Sequence, residues 1–172
     1  MVCERQMPIH DFDFMKRAMG AAEEAARRGE VPVGAVIVSG GEIIGTGYNC
    51  REERQSPLGH AELMAIQEAS QRLGSWRLND CDLYVTLEPC LMCAGAILQA
   101  RMRRLVFACP DPKSGAIESL YRLCEDHRLN HQLPVTGGVL AEESAALLAD
   151  FFAHLRTQKR DSRKSGEVAE PG

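Results

Sequence analysis

The chain has 172 residues, of which 45% are hydrophobic and 26% charged, and it carries a net charge of −4. That length builds one domain with its own core. No apolar stretch approaches the length of a membrane span, and the acidic balance excludes a global attraction to nucleic acid while leaving room for a local basic patch.

In chain order, Asp11 is placed to cap a helix running to about Arg28, with Gly29 as its stop. Met15, Met19, Ala22 and Ala26 mark its apolar face. Val33–Val38 and Ile43–Tyr48 read as two strands joined through Gly40-Gly41. Asn49–Gly59 is a polar loop. His60 opens a second helix, which runs to Leu73 and stops at Gly74. Leu83–Leu87 reads as a buried strand, followed by a helix with Pro89 in its first turn that continues to about Ala100. A strand at Leu105–Ala108 comes next, then a helical stretch near Ile117–Asp126 and a short strand within Pro134–Leu140. A last helix spans Glu142 to about Arg156. The order predicts an α/β fold: a mixed five-stranded sheet with helices on both faces, a three-layer α/β/α sandwich. Residues 1–156 form the expected domain. Residues 157–172 are a polar tail expected to be disordered.

Met1–His10 contains no apolar run of the kind that directs export, so the expected compartment is the cytoplasm. There the seven cysteines are reduced, and clustered ones read as metal ligands before disulfides.

Two short motifs carry chemistry. His60-Ala61-Glu62 stands at one helix start and Pro89-Cys90-Leu91-Met92-Cys93 at another. Either alone occurs readily by chance, but together composition gives a joint expectation of roughly 0.006, which makes the pair specific. Cys90 and Cys93 project from one side of a first helical turn, where the helix dipole favours thiolates. His60 adds an imidazole. Three protein ligands suit a catalytic zinc, which keeps a fourth position for water, better than a structural one. Glu62 lies beside the metal ligands and not among them, where a carboxylate can move protons. The bland readings are two buried small hydrophobes or half of a structural site for the cysteines, and a solvated first-turn acid for Glu62. His10, His127, His131 and His154 have no such partners and read as surface or loop residues.

His60-x-Glu62 followed by Pro89-Cys90-x-x-Cys93 is the known signature of zinc deaminases, and the chain resembles the cytidine deaminase superfamily. The likeness is closer to one branch, the bacterial tRNA-specific adenosine deaminases. It is carried by the segments Val31–Val36, Gly47–Asn49, His60–Ala65, Leu83–Ala96, Asp111–Gly115, Leu129–His131 and Ala145–Phe152, and it covers residues 11–156. The resemblance implies a homodimer that deaminates adenosine to inosine at the wobble position of a tRNA anticodon. One zinc per subunit would be held by His60, Cys90 and Cys93, with Glu62 as the proton carrier. Asn49 would bond the base. Asp111 and Lys113 would touch the anticodon loop. Phe152, with Phe151 and the basic residues Arg156, Lys159 and Arg160, would give the last helix an RNA-stacking end.

Each of these recognition residues has an ordinary alternative: a turn asparagine, a polar turn framed by Pro110 and Pro112, and a core phenylalanine. Ser56-Pro57-Leu58-Gly59 and Pro110 depart from the branch's usual Asp-Pro-Thr-Ala and Arg. Cys109 is also unusual there, and is expected near the pocket as an oxidisable thiol. Two other functions stay open on the sequence: the same chemistry on a free nucleobase or nucleoside of guanine or cytosine type, and a non-catalytic, zinc-stabilised RNA-binding subunit.

Overall fold

Side chains along the strands alternate between two buried clusters in the computed structural model, which describes residues 9–166. The elements are α1 (Ile9–Arg27), β1 (Gly34–Ser39), β2 (Glu42–Tyr48), α2 (Arg51–Arg54), α3 (Ala61–Leu73), β3 (Cys81–Leu87), α4 (Leu91–Gln99), β4 (Arg104–Cys109), β5 (Val135–Gly137) and α5 (Ala141–Gly166). The sheet order is β2-β1-β3-β4-β5. β1 runs antiparallel to β2 and β3, whereas β3, β4 and β5 are parallel. The expected mixed five-stranded sheet is therefore present. No described helix is long and apolar enough to cross a membrane.

The two-residue period of a strand sends Ala35, Ile37, Leu83, Val85, Leu105 and Phe107 to one face. They pack there against Ala61, Ala65 and Ala69 of α3 and Ala94 and Ile97 of α4. Val36, Val38, Tyr84, Val106 and Ala108 go to the other face, under Met15 and Ala18 of α1, with α5 on β4 beside α1. These are the three layers. Gly40 and Gly41, with φ of 58° and 85°, supply the positive dihedrals that a two-residue hairpin requires. A β-carbon on Gly47 would lie 2.0 Å from the Ala61 carbonyl oxygen. Only glycine lets the first turn of α3 rest on β2 and so sets His60 close to Asn49.

Several local expectations are overturned by tertiary partners. Asp11 is not a helix cap. It lies inside α1, 1% exposed, and its carboxylate accepts bonds from the Tyr84 hydroxyl at 2.7 Å and from Arg104 at 2.7 and 3.0 Å. The buried stripe of α1 is Met15, Ala18, Ala22 and Ala25. Met19 and Ala26 are only half-buried, because α1 is rotated to lay alanines flat on β1. Pro89 precedes the cap residue Cys90 and is not in the first turn of α4. Residues 117–126 form turns and one 3-10 turn, Leu123–Glu125. The backbone N–H groups of Ile117, Glu118 and Ser119 bond the Glu88 carboxylate in place of a helical ladder. α5 continues to Gly166, ten residues beyond Arg156, because no proline or glycine interrupts the chain before Gly166. Residues 1–8, read above for an export signal, and 167–172 of the polar tail lie outside the described residues.

Candidate active site

The parallel strands β3 and β4 end side by side, Leu87 against Cys109, and ligands of such sheets gather beyond the carboxyl ends of the strands. Two helix starts meet there. His60 is the N-cap of α3, with φ −88° and ψ 146°. Cys90 is the N-cap of α4, with φ −75° and ψ 177°. Cap positions ordinarily hold Ser, Thr, Asp or Asn, whose oxygens bond the helix N–H groups. His60 and Cys90 make no such bond, so their ligand atoms remain available. Cys93 follows in the first turn of α4 and is fully buried.

His60 Nδ1 lies 3.7 Å from Cys90 Sγ and 3.4 Å from Cys93 Sγ. All three atoms fall within 4.8 Å of one another, the group among the described residues that can hold a metal ion. Zinc bonds of the usual lengths at a tetrahedral angle put nitrogen and sulfur about 3.6 Å apart, which the two observed distances bracket. The donors therefore fit one zinc-sized ion. A hydrogen bond from Cys93, aided by His60, lowers the Cys90 thiol to about 3. The bond to Cys90 and burial push the Cys93 thiol up.

Glu62, in the first turn of α3, is 4% exposed. It lines a cavity of about 430 Å³ together with His60, Cys90, Asn49, Asp111 and Phe151. Burial raises its carboxyl above the usual range, opposed by its own backbone amide and by His60. A carboxyl raised in this way gives up and takes back protons nearer neutrality. The second helix starts one residue later than expected, at Ala61, since the extended backbone at His60 takes it off the helix.

Asn49 is 6% exposed, and its Nδ2 donates to Glu30 Oε2 at 3.1 Å. Glu30, also on the cavity wall, takes the Glu53 amide on its other oxygen at 2.7 Å. The sequence reading missed Glu30, because an acid straight after a helix-ending glycine looks like an exposed turn residue. Asp111 lines the cavity and closes a turn, accepting the Lys113 amide at 3.0 Å and the Ser114 hydroxyl at 2.5 Å. Lys113 itself is exposed and not part of the lining.

Phe152 is 41% exposed and stands edge-on to Phe151, ring centroids 5.6 Å apart. It does not line the cavity. Phe151, Leu155 and Lys159 do, one stripe of α5 at four-residue spacing. Cys109 is not a pocket thiol. It is buried, its Sγ donating to Ser144 Oγ at 3.4 Å, and burial raises its thiol above the usual value, which makes it unreactive. His131 is half-buried and bonds the Met102 carbonyl at 2.7 Å, a structural role.

Glu88, the other acid the sequence reading passed over, is 2% exposed. Oε1 accepts the amides of Ile117, Glu118 and Ser119 at 3.1, 2.7 and 2.9 Å. Oε2 accepts the Asp111 amide at 2.9 Å and the Ser119 hydroxyl. Burial works to raise this carboxyl, but the Ser119 hydroxyl and the backbone amides prevail and hold it at about 2.

Residues 9–156 match the family of MafB19-like deaminases. A tRNA-specific adenosine deaminase of Bacillus subtilis (strain 168) is 47% identical over 152 residues, 88% of this chain and 94% of the relative. A solved structure from a study of A-to-I editing by tRNA:A34 deaminases at the wobble position of transfer RNA superposes with TM-score 0.76 at 44% identity. It covers 79% of this chain and 99% of its own. The guanine deaminase of Bacillus subtilis aligns less fully, with TM-score 0.55 at 43% identity over 57% of this chain and 63% of its own. The chain belongs to the MafB19-like deaminase family, and within it to the tRNA-specific adenosine deaminases.

Proposed function

We propose that this protein catalyses the hydrolytic deamination of adenosine to inosine at the wobble position of a tRNA anticodon. The observation that carries this reading is a His-Cys-Cys cluster whose His60 and Cys90 line one cavity with the buried acid Glu62, in a chain 47% identical to a tRNA-specific adenosine deaminase. One zinc per subunit is held by His60 Nδ1 and the sulfurs of Cys90 and Cys93. When bound, zinc supplies the Lewis acidity that makes a water nucleophilic near neutral pH.

The remaining work belongs to the protein. The Glu62 carboxylate takes a proton from the attacking water and delivers it to the purine ring nitrogen beside C6. A second transfer through the same carboxyl protonates the leaving amine. The C6–O bond forms, the C6–N bond breaks, and ammonia departs. Burial of Glu62 at the cavity wall limits the access of water to its carboxyl and keeps it raised. Asn49, its amide held by Glu30, bonds the base. Asp111 on the rim, Lys113 beyond it and the aromatic pair Phe151 and Phe152 meet the anticodon loop, where unstacked bases suit aromatic and cationic partners.

We further infer a cytoplasmic homodimer. Exposed Leu58 and Leu91, next in sequence to the His60 and Cys90 segments, support a partner surface beside the site.

The test is inosine mapping on total tRNA incubated with the protein. Inosine appears at the first anticodon position, and Glu62→Gln lowers its formation by about 10²–10⁴-fold with zinc retained. Likeness to a guanine deaminase favours a second reading, in which the substrate is a free base. Turnover of guanine or a free nucleoside without turnover of RNA selects it. Metal-loaded protein inactive on every substrate selects a non-catalytic subunit.

A further inference from the structure

We propose that Glu88 is a positioning residue for substrate recognition: its carboxylate anchors residues 110–119 so that Asp111 and Ser114 stand on the cavity rim. This rests on the functional reading above and extends it to a residue outside the metal cluster and its proton carrier.

The argument is geometric. Five donors converge on one side chain, and all five come from one loop: the amides of Asp111, Ile117, Glu118 and Ser119 and the Ser119 hydroxyl. A carboxylate offers about four lone-pair sites, so five donors from a single segment saturate it and define where that segment lies. Ala116 and Ile117 also hold the loop, since both are buried in the core beneath it. Its other backbone attachments are turns, a bridge from Gly115 to Cys90, a bond from the Ala116 amide to the Pro89 carbonyl at 2.8 Å and one from the Leu123 amide to the Ala116 carbonyl at 3.2 Å. The five Glu88 bonds, the Gly115 bridge and the Ala116 amide bond all reach the same short turn, Glu88-Pro89-Cys90.

That turn also delivers Cys90 to the cluster, while Asp111 and Ser114 line the same cavity as Glu62. Glu88 thus ties the loop that meets the substrate to the strand end that carries the reacting centre. The space for its carboxylate depends on Gly115, where a β-carbon would lie 2.3 Å from Glu88 Cδ.

The experiment compares wild type, Glu88→Gln, Asp111→Ala and the double variant, on an anticodon stem-loop RNA. Glu88→Gln keeps the shape but replaces an acceptor by a donor. The expected result is a KM about tenfold higher with kcat within about twofold, and zinc still at about one per chain. In the Asp111→Ala background the same substitution adds almost nothing to KM, because both act through the loop. Hydrogen exchange at the amides of Ile117–Ser119 rises at least about tenfold in Glu88→Gln, independently of activity. Ser119→Ala, which removes one donor and leaves the fold least disturbed, moves KM the same way by about threefold.

A lower kcat at unchanged KM, KM effects that multiply in the double variant, or unchanged exchange in the loop overturns the inference while the functional reading stands. Wild-type protein that leaves the stem-loop unedited overturns the functional reading and the inference with it.

Discussion

Two buried glutamates sit two residues from candidate metal ligands: Glu62 after His60, and Glu88 before Cys90. They are 4% and 2% exposed, yet their carboxyls move in opposite directions. Burial raises Glu62 above the usual range. At Glu88 burial pulls the same way but is overcome by Ser119 and backbone amides, which hold it at about 2. Burial alone therefore does not decide what an acid does. The number of donors aimed at it decides whether it exchanges protons or serves as a fixed anchor.

The largest effect expected from breaking this contrast is at Glu62. Glu62→Gln lowers inosine formation by about 10²–10⁴-fold while zinc remains by elemental analysis. Cys93→Ala loses the zinc as well, which separates proton transfer from metal binding.

Next comes Gly115→Ala. A β-carbon 2.3 Å from Glu88 Cδ must displace the carboxylate or the loop. The expected cost is about 1–3 kcal/mol in a urea titration, together with a raised KM and retained zinc.

A third effect reads the Glu88 bonds through pH. These bonds hold the carboxyl at about 2 in the folded protein, below the 4.5 of a glutamate without them. The stability it contributes is present above about 4.5 and is lost as pH falls toward 2. The gap in unfolding midpoint between wild type and Glu88→Gln is therefore widest near neutrality and narrows across that interval. A gap independent of pH would show that the bonds do not favour the ionised form.

The smallest effect compares the two phenylalanines. Phe151 lines the cavity and Phe152 is 41% exposed. Phe151→Ala should raise KM for the stem-loop by about tenfold and Phe152→Ala by less. The reverse order would put the RNA on the outer face of α5.

How much of this was legible beforehand follows from how local each signal is. The helix-stopping Gly29 and Gly74 and the Gly40-Gly41 hairpin act through their own dihedrals, and the structure has all of them. The β-branched strand runs and the His60-x-Glu62 and Pro89-Cys90-x-x-Cys93 spacings are likewise short-range, so the sequence by itself determined the mixed sheet and a candidate metal cluster with an acid beside it. It failed wherever a residue answers to a distant partner. Asp11 looked like a cap until Arg104 and Tyr84, remote in the chain, claimed its carboxylate. Residues 117–126 looked helical until Glu88 took their amides. Which of the two phenylalanines lines the cavity was likewise decided by the rotation of α5, which turns Phe151 inward and leaves Phe152 41% exposed. Those outcomes belong to the tertiary structure, because a buried hydrogen bond or a packed helix face is set by what lies across the core and not by neighbours in sequence.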